Sequence, residues 1–212
     1  MTFKNKDGIA IVESLITTIQ ANRDYLSEID GKIGDGDHGI NMNKGFTLCG
    51  ARIKGREYNM SEALQVLSST LLTDIGGSMG PLYGVFFEAM ADASEGKEEI
   101  DAAIFGEMLQ AALEEVQEIG NAKRGDKTLL DTLIPAVEAY SSALAEGMDF
   151  YTALVELKEA ARTGWCSTEE MVARIGRASR LGERSRGVLD AGATSCYLML
   201  HAMASAIQQL IR

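Results

Sequence analysis

With 212 residues the chain fits one domain or a tight pair, long enough to bury a core of ordinary thickness. Apolar residues make up 46% and charged ones 24%, which excludes a disordered chain, and no apolar run approaches the length of a membrane helix. A net charge of −11 argues against nucleic-acid binding, which needs a basic face, and three cysteines far apart suggest neither a disulfide framework nor a zinc knuckle.

In chain order, Met1 to Asp7 lacks the apolar core of a secretory signal, so the expected compartment is the cytoplasm. From Ile9, apolar positions recur every three or four residues (Val12, Ile16, Ile19) and predict a first helix ending near Ser27. The next stretch, Ile29 to Asn41, puts Asp30, Asp35 and Asp37 among four glycines within thirteen residues. Crowded carboxylates repel one another, so this arrangement calls for a cation, and an all-oxygen donor set suits magnesium, manganese or calcium. The spacing is not that of a calcium-binding helical hand, and a helix start at Gly39 to Asn41 would offer free amides to a phosphate. Magnesium carried by phosphates is therefore favoured.

A second helix is predicted from Gly39 to about Arg52, then a third with Ser61 as N-cap and Leu64, Leu67 and Leu71 on one face. Asp74 to Gly84 is a second glycine-dense loop, with Pro81 suited to the first turn of the helix that follows and that stops near Gly96. A helix from Asp101 carries a broad apolar stripe (Phe105, Met108, Leu109, Ala112, Val116). The polar loop Gly120 to Thr128 then leads into a helix from Leu129 to Leu144, with Pro135 in its first turn or at a kink. Phe150 to Ala161 marks another helix. Ser167 to Glu170 has capping-box spacing and predicts a short helix ending near Gly176. A long polar segment, Gly176 to Ala193, precedes the closing helix of Cys196, Met199, Met203 and Ile207. No stretch alternates well enough for a strand. Cys49 and Cys196 read as core residues, the ten methionines as packing and His201 as a core or rim histidine.

The expectation is an all-α, antiparallel barrel of about eight amphipathic helices in one domain. If consecutive helices alternate in direction, the aspartate loop, both glycine loops and the arginine-bearing segment gather at a common end.

Those loops, Gly34 to Asn43, Gly76 to Gly84, Gly125 to Thr128 and Gly176 to Ser185, closely resemble the L subunit, or nucleotide-binding domain, of dihydroxyacetone kinases. The resemblance runs in order from about Leu26 to the last helix. It implies a helical barrel holding ADP (ATP when phosphorylated) and two magnesium ions at one end, with Asp30, Asp35 and Asp37 as metal ligands. His38, Gly39, Ile40, Asn41, Ser78, Met79, Gly120, Leu129, Arg177, Asp190, Ala191 and Gly192 would face the nucleotide. Of these, Leu129 would form an apolar wall, His38 would donate a hydrogen bond beside phosphate, and Arg177 would act catalytically by stabilising the phosphoryl group in flight. The implied partners are a K-type subunit carrying dihydroxyacetone or a similar short ketose and an M-type phosphohistidine donor. The alternatives are exchangeable ATP as donor, or a regulatory module reporting nucleotide loading to a transcription activator. Two places depart from the family pattern: the second loop carries Ser78 then Met79 where Ala-Ser is usual, and Ala191 stands where the fourth loop usually has proline.

Overall fold

The computed structural model describes residues 1–211. Nine α-helices account for most of the described residues: α1 (Ile9–Ala21), α2 (Arg23–Ile33), α3 (His38–Ile53), α4 (Met60–Asp74), α5 (Met79–Ser94), α6 (Ala102–Gly120), α7 (Leu130–Ala145), α8 (Phe150–Ser167) and α9 (Ala191–Leu210). Eight of them form a closed ring in which α1 packs on α3, each later helix on the next, and α9 returns to both α8 and α1. α2 lies outside this ring as an extension of α1, resting on α3 and α9. The all-α barrel expected from the apolar periodicity is the fold. None of these helices is long and apolar enough to cross a membrane.

Buried aromatics fill the barrel. Phe87 meets Phe46 and Phe86 edge to face at 6.1 and 5.0 Å, and Phe105 meets Tyr140 at 5.5 Å. Each such side chain removed from water contributes about 2 kcal/mol. Cys49 and Cys196 are buried in the same core. Between α7 and α8 the helices come unusually close. Pro135, inside α7 rather than in its first turn, has no N–H for the Asp131 carbonyl, and Gly164 of α8 sits so near that carbonyl that a β-carbon would overlap it.

Four local expectations are corrected. The first helix does not stop near Ser27: the chain breaks at Asn22 and α2 continues to Ile33, so Asp30 stands on the last turn of a helix and not in a loop. α4 is capped by Asn59, which accepts from Glu62 N while the Glu62 carboxylate accepts from Asn59 N, and Ser61 falls inside the helix. The Ser61 hydroxyl instead meets buried Asn5 and Ser94 at 2.9 and 2.8 Å. No helix runs from Ser167 to Gly176. α8 absorbs Ser167, one 3-10 turn follows (Thr168–Glu170), and a second 3-10 segment, Arg177–Ser185, is interrupted at Gly182. Among the described residues two short strands exist, β1 (Thr2–Lys4) and β2 (Glu99–Asp101), paired antiparallel with Phe3 opposite Ile100.

The chain start, Asn59 and Gly96 line a hollow at one end of the barrel. The joints α2–α3, α4–α5, α6–α7 and α8–α9 surround a second cavity, as alternating helix directions require.

Candidate nucleotide and metal site

The cavity has a volume of about 280 Å³. Part of its lining is apolar (Met79, Leu82, Val116, Leu129, Ile175), and its polar groups come from helix ends and the loops that join them. The starts of α3, α5 and α9 reach it through His38, Ser78 with Met79, and Ala191 with Gly192. Helix starts carry unpaired N–H groups and the positive end of the helix dipole, so three of them converging make an anion seat in an otherwise acidic protein.

At the same cavity, beside the start of α3, Asp30, Asp35 and Asp37 place carboxylate oxygens within 4.8 Å of one another. α2 supplies Asp30 from its last turn, and the Gly34–Asp37 joint brings the other two round to face it. The His38 backbone N–H points at Asp30 Oδ2 from 3.4 Å. Gly34 is required by space: a β-carbon there would overlap the Asp30 carboxylate. Gly36 is required by conformation, at φ 77°. Three oxygen donors so close, with neither sulfur nor imidazole among them, fit a hard dication such as magnesium. Arg177, at the start of the 3-10 segment, forms an ion pair with Asp35 at the rim. Arg180 and Arg184 on that segment, and Arg174 and Arg186 flanking it, are exposed, and Arg186 pairs with Glu183.

Several residues build the site in ways that the local sequence does not show, although Tyr83 and Lys127 stand inside the loops that carry the family resemblance. Tyr83 of α5, fully buried, lies 2.7 Å from Ser195 Oγ of α9, which in turn lies 2.9 Å from His38 Nε2. Both hydroxyls also reach the Gly192 carbonyl at 3.1 Å. Burial pushes the His38 imidazole down to about 4, so it is neutral at physiological pH. Lys127 is buried with φ 63°, and its ammonium donates to the carbonyls of Met171, Ser185 and Val188 at 3.1, 2.6 and 2.6 Å. One cation thereby clips the entire 171–188 segment, including Arg177, to the α6–α7 joint. Asp131 orders that joint from below by accepting from the Gly125 and Thr128 N–H groups. Asp190 caps α9 by accepting from Ala193 N at 2.8 Å, and burial raises its carboxyl to about 6.

The structure brings Asp30, Asp35, Asp37, His38, Asn41, Ser78, Met79, Gly120, Leu129, Arg177, Asp190, Ala191 and Gly192 to the cavity. It sets two predicted residues apart. Gly39 faces α2, where a β-carbon would overlap the Arg23 carbonyl and crowd Ser27, so its smallness serves helix packing. Ile40 is 50% exposed on the outer face of α3. Both lie in the right turn of helix but on faces pointing away from the cavity, since successive residues turn by about 100°.

Comparison with known proteins agrees with this geometry. The DAK2 domain profile matches residues 32–205. The chain is 35% identical over 187 residues to the ADP-binding subunit DhaL of the PEP-dependent dihydroxyacetone kinase of Escherichia coli, covering 88% of this chain and 89% of the relative. It is 37% identical over 205 residues to the corresponding subunit of dihydroxyacetone kinase 1 from Listeria innocua, covering 96% and 97%. The crystal structure of the dihydroxyacetone kinase of C. freundii with AMP-PNP and Mg2+ superposes with a TM-score of 0.69 at 24% identity, over 92% of this chain and 33% of that one, and so shares the fold. On its sequence and its fold together, the chain belongs to the DAK2 domain family.

Proposed function

We propose that the chain is the ADP-binding subunit of a phosphoenolpyruvate-dependent dihydroxyacetone kinase, relaying a phosphoryl group from a phosphohistidine donor subunit to a short ketose held by a separate substrate-binding subunit. The observation that carries this reading is the meeting, at one cavity with a partly apolar lining, of three clustered carboxylates and three helix starts. A purine fits against Met79, Leu82 and Leu129, and a diphosphate fits between the carboxylates and the N–H groups of α3, α5 and α9. Asp30, Asp35 and Asp37 would hold two magnesium ions, whose chemistry is to neutralise phosphate charge and draw electrons from the bridging oxygen.

The chain's own part is positioning. Lys127 and Asp131 fix the loops that carry Arg177 and Leu129, so Arg177 stands ready to stabilise charge on the phosphoryl group in transit. His38 is neutral, buried and already engaged by Ser195, which makes it a poor phosphate acceptor. No side chain of this subunit is needed as a covalent carrier.

Nondenaturing mass spectrometry of the purified chain tests the reading: it should carry ADP and two magnesium ions and retain them through gel filtration. Addition of phosphoenolpyruvate, the donor relay and a substrate-binding subunit should then phosphorylate dihydroxyacetone without free ATP. Rapid loss of ADP, with transfer that requires added ATP, would replace the resident-cofactor mechanism by an exchanging one.

A further inference from the structure

We propose that Ser195, supported by Tyr83, holds the His38 imidazole in its Nε2–H form, so that Nδ1 presents a lone pair to the cavity and receives a hydrogen-bond donor there instead of donating to phosphate. The identity of that donor rests on the nucleotide reading above; the tautomer does not.

Counting protons carries the first step. Four close contacts meet in this buried cluster: His38 Nε2 to Ser195 Oγ, Tyr83 Oη to Ser195 Oγ, and each hydroxyl to the Gly192 carbonyl. Tyr83 and Ser195 bring one proton each, and the carbonyl brings none. If the imidazole proton is on Nε2, it goes to Ser195, and the two hydroxyl protons fill two more contacts, so three of the four are hydrogen bonds. If the proton is on Nδ1, the cluster holds two protons for four contacts, and Ser195 has to spend its own on Nε2. Ser195, Tyr83 and His38 are all buried, and an unmade bond between buried polar atoms costs more than a made one contributes, so the first arrangement prevails.

The second step concerns the other nitrogen. Nδ1 has no hydrogen-bond partner among the described residues, yet it is not among the buried polar atoms left without one. It is therefore accessible, and the space His38 borders is the cavity. Phosphate oxygens next to dications carry no proton and have nothing to give a lone pair. A metal-bound water or a ribose hydroxyl does, each through an O–H group. Tyr83 and Ser195 thus act as positioning residues that select what His38 can recognise.

The chain has only two histidines, so nitrogen-15 labelling of histidine, with His201→Gln for assignment, resolves the ring of His38. In nucleotide-stripped, chelator-treated protein, Nε2 should show the protonated shift and Nδ1 the unprotonated one; the reverse pattern in the unaltered chain overturns the proposal. Tyr83→Phe should keep the pattern, because Ser195 then donates to Gly192 while still accepting from Nε2. Ser195→Ala should move the ring toward a mixture, and an unchanged ring would overturn the role of Ser195. Adding Mg2+ alone should shift Nδ1 if the donor is a metal-bound water. A shift only with Mg2+ and ADP, lost with the 2′-deoxy or 3′-deoxy nucleotide, identifies a ribose hydroxyl. Bound Mg2+–ADP that leaves Nδ1 unmoved refutes the lone-pair role. Failure of ADP to bind refutes the nucleotide reading and leaves the tautomer result standing.

Discussion

The carboxylate of Asp30 occupies the space that a β-carbon on Gly34 would take. The two residues are a fitted pair: a helix ends, the chain turns back over its last carboxylate, and only a residue without a side chain lets that carboxylate stay aimed at Asp35 and Asp37. Gly34 has φ −133°, a value any residue can adopt, so its cost on substitution is steric and falls on Asp30.

Gly34→Ala should therefore weaken magnesium-dependent ADP retention by about 10–100-fold, as loss of a ligand's support does, with helix content unchanged. Gly36→Ala is the contrast. At φ 77° it should cost about 1–2 kcal/mol of stability through backbone strain, yet its nearest neighbours stand 3.7 Å or more away and the carboxylates keep their places. Circular dichroism and ADP titration on the pair separate the two causes; equal ADP affinity in Gly34→Ala and the unaltered chain would reject the steric account.

Arg177 pairs with Asp35, one of the three carboxylates assigned to the metal, so the two residues should respond oppositely to substitution. Asp35→Asn should abolish retention of ADP and magnesium. Arg177→Ala removes a competitor for Asp35 and leaves magnesium binding undiminished, while phosphoryl transfer falls by about 10²-fold or more through loss of transition-state charge stabilisation. Steady-state kinetics in the reconstituted relay, read beside metal titration, check this. A variant at Arg177 that loses metal and transfer together would make the arginine a structural element only.

Lys127 is a buried cation whose three donors all go to backbone carbonyls of one segment. Lys127→Met fills similar space but leaves those carbonyls unpaired, a loss of roughly 2–4 kcal/mol at a buried site. Hydrogen exchange should rise in residues 171–188 and not in α4 or α5. Uniformly raised exchange would mean that the lysine supports the barrel as a whole.

How far the sequence alone leads depends on the distance over which each signal acts. The apolar repeat on each helix and the glycine-aspartate loops are local, and from them the barrel and its one crowded end follow. The break at Asn22 is hidden because apolar positions continue through it, and so Asp30 falls on a helix. β1 and β2 are three residues each, too short for alternation to be visible. Ser61 looks like a cap until Asn59 and Glu62 are seen to make the reciprocal pair. Tyr83 meets Ser195 112 residues away, Ser195 meets His38 157 residues away and Lys127 reaches Met171 44 residues away, where no spacing rule reaches. Gly39 and Ile40 have their place in a motif, but only the helix rotation shows which way each side points.

Asp190 offers a test by pH. Burial raises its carboxyl to about 6, against about 3.9 for an unperturbed aspartate, so the fold prefers the protonated form. The cost of ionising it is absent below about pH 4, grows as pH rises and is fully present above about pH 6; it amounts to about 2–3 kcal/mol at most. Asparagine can keep the cap, because its side-chain carbonyl accepts from Ala193 N as the carboxylate does. In chelator and without nucleotide, Asp190→Asn should match the unaltered chain in stability at pH 4 and exceed it at pH 7. Denaturant unfolding across that range decides the matter: curves that stay parallel from pH 4 to 7 would show that Asp190 titrates alike in the folded and unfolded states.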